Sequence, residues 1–230
     1  MSLSKVIAID GPSGSGKSTI AKQLAETLDL LYIDTGAMFR ALAYCCDQRN
    51  IPLTAGPQMD EFLSNIKLEY GKSEDYLIGI DGENLSHKIR EHNVSKLASI
   101  ISQIPQVREF LLNFQRDLAS RVVCVMEGRD IGTVVFPDAF CKFFVTASVE
   151  VRSNRRLNQL NEGGESNLSL EQIMTDVKKR DESDMNREVA PLKMAEDASL
   201  VDTSEMELLD VLNSLKDSVL AKAKGTGISL

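Results

Sequence analysis

The chain has 230 residues and a formal net charge of −8, from 26 Lys and Arg against 34 Asp and Glu, with 43% hydrophobic residues and no Trp. That length and apolar content suit one α/β domain with an insertion, or one and a half small domains. The acidic balance argues against nucleic acid or an anionic membrane as the main partner, so any polyanionic ligand must be met by a local cluster of Arg and Lys.

No signal peptide precedes Val6, and no apolar run approaches the length of a bilayer span. Cys45, Cys46, Cys124 and Cys141 show no CxxC spacing. They read as buried, reduced thiols of a cytoplasmic protein.

Val6-Ile7-Ala8-Ile9-Asp10 is a short apolar run fit for a buried strand. Gly11-Pro12-Ser13-Gly14-Ser15-Gly16-Lys17-Ser18 follows, and it fits the P-loop pattern. Thr19 to Leu28 then has helical periodicity, with Ile20, Leu24 and Leu28 on one face. Strand, glycine loop and helix form the context in which that motif cradles phosphate. The glycines free the backbone so that successive N–H groups can turn onto an anion, and the helix N-terminus adds its positive end. Lys17 is placed for the β- and γ-phosphates and Ser18 for Mg²⁺.

Leu31-Tyr32-Ile33 reads as a second strand, ending in Asp34-Thr35-Gly36, and Ala37 to Arg49 as a second helix. The character changes from Ile51 to about Asn93. Ile66–Tyr70 and Tyr76–Ile80 alternate, and Asp81-Gly82 marks a turn, which predicts a small antiparallel meander inserted into a parallel framework. His87 and His92 fall at its end, far from any nucleophile, and read as surface or local structural residues. Helices are predicted at Ser95–Ser102 and Pro105–Ala119, then strands at Val122–Met126 and Lys142–Thr146. An arginine-rich helix from Ser148 to Asn161 leads into a flexible Glu162-Gly163-Gly164-Glu165. Ser169, with Gln172 three residues on, opens a helix to about Asp184 as a capping box. Ser199-Leu200-Val201 is a last short strand, and Glu205 to Ala223 a closing helix. The domain division expected is a core of residues 4–50 and 94–224, with a lid at about 150–168, and an insert of residues 51–93.

Catalytic groups of parallel sheets gather at the strands' carboxyl ends. Asp34, Thr35, Glu127, Arg129 and Asp130 fall at such ends. The Asn-Lys-x-Asp of GTPases is absent. The arginines favour a kinase: Arg152, Arg155 and Arg156 share one helix, and Arg180 and Arg187 flank Asp184. Phosphoryl transfer needs positioning and charge stabilisation, for which the Arg fork suits phosphate oxygens. The arginine-rich helix beside the glycines reads either as a lid over the phosphates or as a solvated face.

Longer motifs narrow this. They are Ile9–Ser18, Asp34-Thr35-Gly36-Ala37-Met38-Phe39-Arg40, Glu127-Gly128-Arg129-Asp130-Ile131-Gly132-Thr133-Val134-Val135-Phe136-Pro137, and Arg180–Arg187 running into Ala190-Pro191-Leu192. In them the chain resembles the bacterial cytidylate kinases (CMP kinases) of the nucleoside monophosphate kinase group, from Val6 to about Ala223. The resemblance implies a P-loop NTPase fold. Its parallel sheet has five strands in the order 2-3-1-4-5, with flanking helices and a small antiparallel β insert on the CMP side.

It implies ATP as donor, Mg²⁺ as cofactor, and transfer of the γ-phosphate to CMP or dCMP. Gly11, Pro12, Ser13, Gly14, Ser15, Gly16, Lys17, Ser18 and Thr19 would hold ATP, and Arg152, Arg155 and Arg156 would face its phosphates. Thr35, Arg40, Arg129 and Arg187 would grip the CMP phosphate. Ser99, Arg108 and Asp130 would read cytosine, and Arg180 and Asp184 the ribose. Lys17, Arg129, Asp130, Arg155, Arg156 and Arg187 are the expected catalytic set. Departures from relatives include Thr35 for Ser, Gln106 for a basic residue, Ser183 and Met185 for charged ones, and Glu127 for Asp. A small-molecule kinase of another acceptor, UMP included, is the sibling reading. A regulatory protein that has lost turnover is the alternative of a different class, and the complete set of charged residues weighs against it. A monomer acting on small molecules, with no nucleic acid and no membrane, is the expected working form.

Overall fold

The computed structural model describes residues 3–73, 75–120, 122–162 and 169–230. In chain order the elements are β1 (Ser4–Asp10), α1 (Lys17–Leu28), β2 (Leu31–Asp34), α2 (Thr35–Gln48), α3 (Pro57–Asn65), β3 (Leu68–Ser73), β4 (Tyr76–Ile80) and β5 (Glu83–Asn84). There follow α4 (His92–Ile101), α5 (Pro105–Ala119), β6 (Cys124–Gly128), β7 (Ala139–Thr146), α6 (Val149–Glu162), α7 (Leu170–Asn186), β8 (Ser199–Asp202) and α8 (Leu208–Thr226). The chain divides into two units, Met1–Asp34 with Arg116–Leu230, and Thr35–Gln115.

The first unit holds a five-stranded sheet in the order β2-β6-β1-β7-β8. Every pairing is parallel. Numbered among its own strands this is 2-3-1-4-5, the expected order. Parallel sheets are covered on both faces, and the central strands read accordingly. Val6, Ile7, Ala8 and Ile9 of β1 and Cys124, Val125 and Met126 of β6 are fully buried. Ile7, Ile9, Ile20, Leu24, Val125, Phe143, Val145, Val211, Leu215 and Val219 form the main core, joining the sheet to α1 and α8. Helices α6 and α7 carry a smaller cluster of Leu160, Ile173 and Val177. The capping box opens α7 as expected: Ser169 Oγ accepts from Gln172 N, and Gln172 Oε1 accepts from Ser169 N.

The register sets up the site. Ile9 lies level with Glu127 and Asp10 with Gly128. Asp34 is in turn level with Glu127. Three acidic residues of neighbouring strands thus reach the same carboxyl edge.

The second unit contains α2, α3, α4, most of α5 and the antiparallel sheet β3-β4-β5. The meander is where the alternation put it, with Leu68 opposite Ile80 and Ile80 opposite Glu83. Residues 51–93 fall inside this unit. One helix there was not anticipated. Pro57 takes the first turn of α3, and Met59, Phe62 and Leu63 are buried. Their spacing is helical, but the stretch is short and polar enough to pass for a loop.

Other boundaries moved for local reasons. β7 starts at Ala139, ahead of the expected Lys142. Lys142 sits mid-strand with its ammonium donating to the Pro137 carbonyl and to Asp197 at 2.8 Å. A lysine tied at its tip is compatible with a buried strand, which composition alone does not reveal. The glycines at 163 and 164, in the segment expected to be flexible at the end of the lid, lie with residues 165–168 outside the described residues. His87 is exposed, as expected.

Candidate active site

The loop between β1 and α1 is built from backbone. Gly11 has φ of +151°, and a Cβ there would lie 2.0 Å from the Val145 carbonyl oxygen of β7. Helix α1 begins after Gly16, whose φ of +87° is left-handed, and no side chain caps it or places an acid in its first turn. Its leading N–H groups are the kind that hold an anion. Ser15 Oγ is buried with no hydrogen-bond partner among the described residues. Lys17 is buried, and its ammonium donates to the Pro12 carbonyl at 3.0 Å. Burial lowers its pKa, Arg129 and Arg180 add to the shift, and Glu127 and Asp184 oppose it.

Glu127 is 2% exposed at the end of β6. A buried carboxylate needs donors. It receives them from the Ser18 hydroxyl at 2.8 Å and from the Tyr32 hydroxyl. Burial and Asp34 raise its pKa, while Lys17 and the two hydroxyls pull it down. The sequence pattern marks Tyr32 only as a strand residue. Its hydroxyl at a strand end is the signal that could have found it.

Two ion pairs lie beyond. Arg129 Nε donates to Asp184 Oδ2 at 2.9 Å, and Arg187 Nη2 to Asp130 Oδ1 at 3.2 Å. Burial alone would raise the Asp184 pKa, but Arg129, Arg180 and Arg187 outweigh it, so its carboxyl stays below the ordinary range. Asp10, part of a sequence motif but given no role there, accepts from the Ile131 and Gly132 amides, each at 2.8 Å. It thereby anchors the π-helical turn Ile131–Val135 that follows Arg129 and Asp130. Burial pushes its pKa up to about 6, with the two amide bonds opposing and Asp130 adding.

The α6 arginines differ from an open cationic face. Arg152 is buried; it donates to Asp181 bidentately at 3.0 and 2.6 Å, to the Ala147 carbonyl and to the Ser13 carbonyl. Arg155 donates to the Thr203 hydroxyl and carbonyl and to the Ser15 carbonyl. Arg156 is half-buried on the same helix.

Within the second unit, Thr35 is buried at the start of α2 and Arg40 is half-buried further along it. Arg108 of α5 donates to the Ser102 carbonyl at 3.1 Å and lies over the Phe39 ring. The Ser99 carbonyl accepts from Ser102 Oγ, which gathers Ser99, Ser102, Arg108 and Phe39 in one neighbourhood. Gln106 Oε1 is buried with no partner among the described residues.

The family model for cytidylate kinase matches residues 7–220. The chain belongs to the cytidylate kinase family. It is 42% identical over 223 residues to a cytidylate kinase of Clostridium tetani, covering 96% of this chain and 97% of that one. It is 44% identical over 213 residues to one of Caldicellulosiruptor saccharolyticus, covering 91% and 92%. With one of Bacillus cereus it shares 42% over 215 residues, covering 93% and 95%. Membership makes the chain a P-loop kinase, and the cytidylate kinase motifs around Lys17, Glu127 and Arg187 lie in the first unit.

The residues fit the nucleotide and the metal that such a kinase uses. Ser18 and Glu127 offer neighbouring oxygen ligands, as Mg²⁺ prefers. No group of three metal-ligating side chains occurs among the described residues. Mg²⁺ held largely by substrate phosphates and water requires none. The uncapped helix start and the orphaned Ser15 hydroxyl fit a polyphosphate. Among the described residues no helix is long and apolar enough to cross a membrane.

Proposed function

We propose that this chain transfers the γ-phosphate of ATP to CMP or dCMP, giving ADP and CDP or dCDP. The observation that carries the reading is the clustering at one sheet edge of Lys17, Ser18 and Glu127, in a chain of this family. In this reading the amides of residues 11–19 and Lys17 hold the donor phosphates, and Ser18 with Glu127 hold Mg²⁺. Mg²⁺, when bound, supplies charge neutralisation across the donor phosphates. Arg156 serves the donor phosphates directly, and Arg152 and Arg155 serve them through the loop they hold.

Arg129 and Arg187, with Thr35 and Arg40, take the acceptor phosphate. Asp130, Ser99 and Arg108 read the base, and Arg180 and Asp184 the ribose. Arg129 and Arg187 already sit against Asp184 and Asp130. Their guanidinium groups are therefore oriented before a phosphate arrives, which lowers the cost of ordering them on binding. A cytosine edge offers an amino donor beside acceptors, so a carboxylate and cationic or hydroxyl donors match it. The wrong base leaves these groups unpaired. Transfer is direct and in line. The acceptor phosphate is already an anion, so no strong general base is required; Lys17, Arg129, Arg156 and Arg187, with Asp130, form the catalytic set, and Arg155, expected in it from the resemblance, is a positioning residue.

The working unit in this reading is a single chain in the cytoplasm, a reducing compartment that suits its four free, buried thiols. Coupled ADP release with ATP, Mg²⁺ and CMP, dCMP, UMP, AMP, GMP or shikimate in turn tests it. Preference for CMP and dCMP is expected. Equal turnover of UMP would widen the acceptor assignment, and release with none of them would overturn it.

A further inference from the structure

The carbonyls of the P-loop are held from outside. A trans peptide plane carries its C=O and the next N–H on opposite sides, so fixing one aims the other. The Ser13 carbonyl accepts from Arg152 Nη1 at 3.1 Å, which fixes the Gly14 N–H. The Ser15 carbonyl accepts from the Thr203 hydroxyl at 3.0 Å and from Arg155 Nη1 at 3.3 Å, which fixes the Gly16 N–H. Gly14 and Gly16 are the two left-handed residues of the loop, with φ of +75° and +87°.

The holders are themselves fixed. Arg152 is clamped bidentately by Asp181 of α7, and both are buried. A Cβ on Gly14 would lie 3.0 Å from the Arg152 carbonyl oxygen, so α6 rests directly on the loop. Thr203 is 3% exposed just past β8. Its amide donates to the Thr146 carbonyl at 2.8 Å. Its hydroxyl accepts from Arg155 at 3.0 Å, and its single proton faces the Ser15 carbonyl at 3.0 Å and the Thr146 carbonyl at 3.1 Å, of which the latter already accepts the Thr203 amide. Neither Asp181 nor Thr203 has a ligand role in the site as described.

We infer that Thr203 and the Arg152–Asp181 pair are positioning residues that preset the P-loop for phosphate by holding its Ser13 and Ser15 carbonyls away from the ligand. Arg152 and Arg155 then act on the donor through the backbone. Preorganised amides need no reorientation when the anion arrives, so the effect falls on the donor nucleotide alone. The inference rests on the nucleotide-binding reading of the loop.

The test compares wild type with Thr203→Val, which keeps the shape and removes the hydroxyl, and with Thr203→Ser, which restores it. MgADP binding is measured by titration calorimetry, and KM for ATP and for CMP by coupled assay. Thr203→Val is expected to weaken MgADP binding and raise the ATP KM by about tenfold, corresponding to a net hydrogen bond of about 1.4 kcal/mol. The CMP KM is expected to change less than twofold, and Thr203→Ser to recover most of the loss. Asp181→Asn gives an independent handle at Ser13 should the valine variant fold poorly, and the same split between ATP and CMP is expected. Wild-type MgADP affinity in both Thr203→Val and Asp181→Asn, or equal rises in both KM values, would overturn the inference alone. Failure of wild type to bind MgADP would sink the nucleotide reading and this inference with it.

Discussion

Lys17 shows what a single side chain contributes at this site. It is buried beside Arg129 and Arg180, and its pKa is lowered chiefly by burial. The ammonium is therefore held at some cost in the absence of an anion. Lys17→Ala is expected to cut phosphoryl transfer by at least about a hundredfold, the scale of losing one preorganised charge-stabilising donor. It should not lower the melting temperature, because the charge it removes is disfavoured by burial; circular dichroism and a thermal melt check both points. A second outcome follows from the sign of the shift. A polyphosphate raises the Lys17 pKa back toward its ordinary value, so nucleotide binding takes up a proton at any pH between the free and bound values. Calorimetry in buffers of different ionisation enthalpy at pH 8 to 9 should show net uptake in wild type, and less in Lys17→Ala.

At the scale of elements, the loop between β1 and α1 owes its course to how closely β1 and β7 are laid. Gly11 stands where any side chain would meet the Val145 carbonyl at 2.0 Å. Either β7 moves or the loop does. Gly11→Ala is expected to destabilise the fold by several kcal/mol and to abolish nucleotide binding in whatever folds. Chemical denaturation beside MgADP titration reads both losses. The Asp10 carboxylate is the counterpart on the other side of β1. By accepting two amides it places the turn Ile131–Val135, and with it Arg129 and Asp130, against the strand ends. In the proposed reaction, acceptor-side Arg129 is thus positioned by a strand residue that touches no substrate.

For the whole molecule, Asp10 also shapes the pH dependence of stability. Its folded pKa, about 6, lies above its ordinary value of 3.8. The folded state therefore holds its proton more tightly than the unfolded chain does. That contribution is fully present below the ordinary value and is lost as pH rises to 6, a change of about 3 kcal/mol by linkage. Asp184 has the opposite sign: its depressed pKa stabilises above the ordinary carboxylate range, and the gain is lost as pH falls through its folded value. Urea unfolding from pH 4 to 7 is expected to show a falling component that Asp10→Asn removes. The variant's own stability should lack that component over the same range, since an amide does not titrate there.

Much of this was legible in the chain itself. The order of the strands came from the family resemblance, whereas the strands of the parallel sheet, the P-loop, the inserted meander and the capping box of α7 all follow from local patterns: apolar runs, glycine spacing, alternation and a Ser with Gln three residues on. Each depends on residues close in sequence, and the physics that reads them is local. Family motifs carried the acceptor and the reaction, because they record chemistry that no periodicity encodes. Tertiary structure decided the rest. It determined that Arg152 is latched to Asp181, 29 residues away, and that Thr203 meets Ser15 across 188 residues. It also paired Arg129 with Asp184 and gave Glu127 the Tyr32 hydroxyl. An arginine on a helix has the same sequence signature whether it faces solvent, phosphate or a buried carboxylate. Only the folding of distant strands onto one edge settles which of these it meets, because burial and partner are properties of the packed chain.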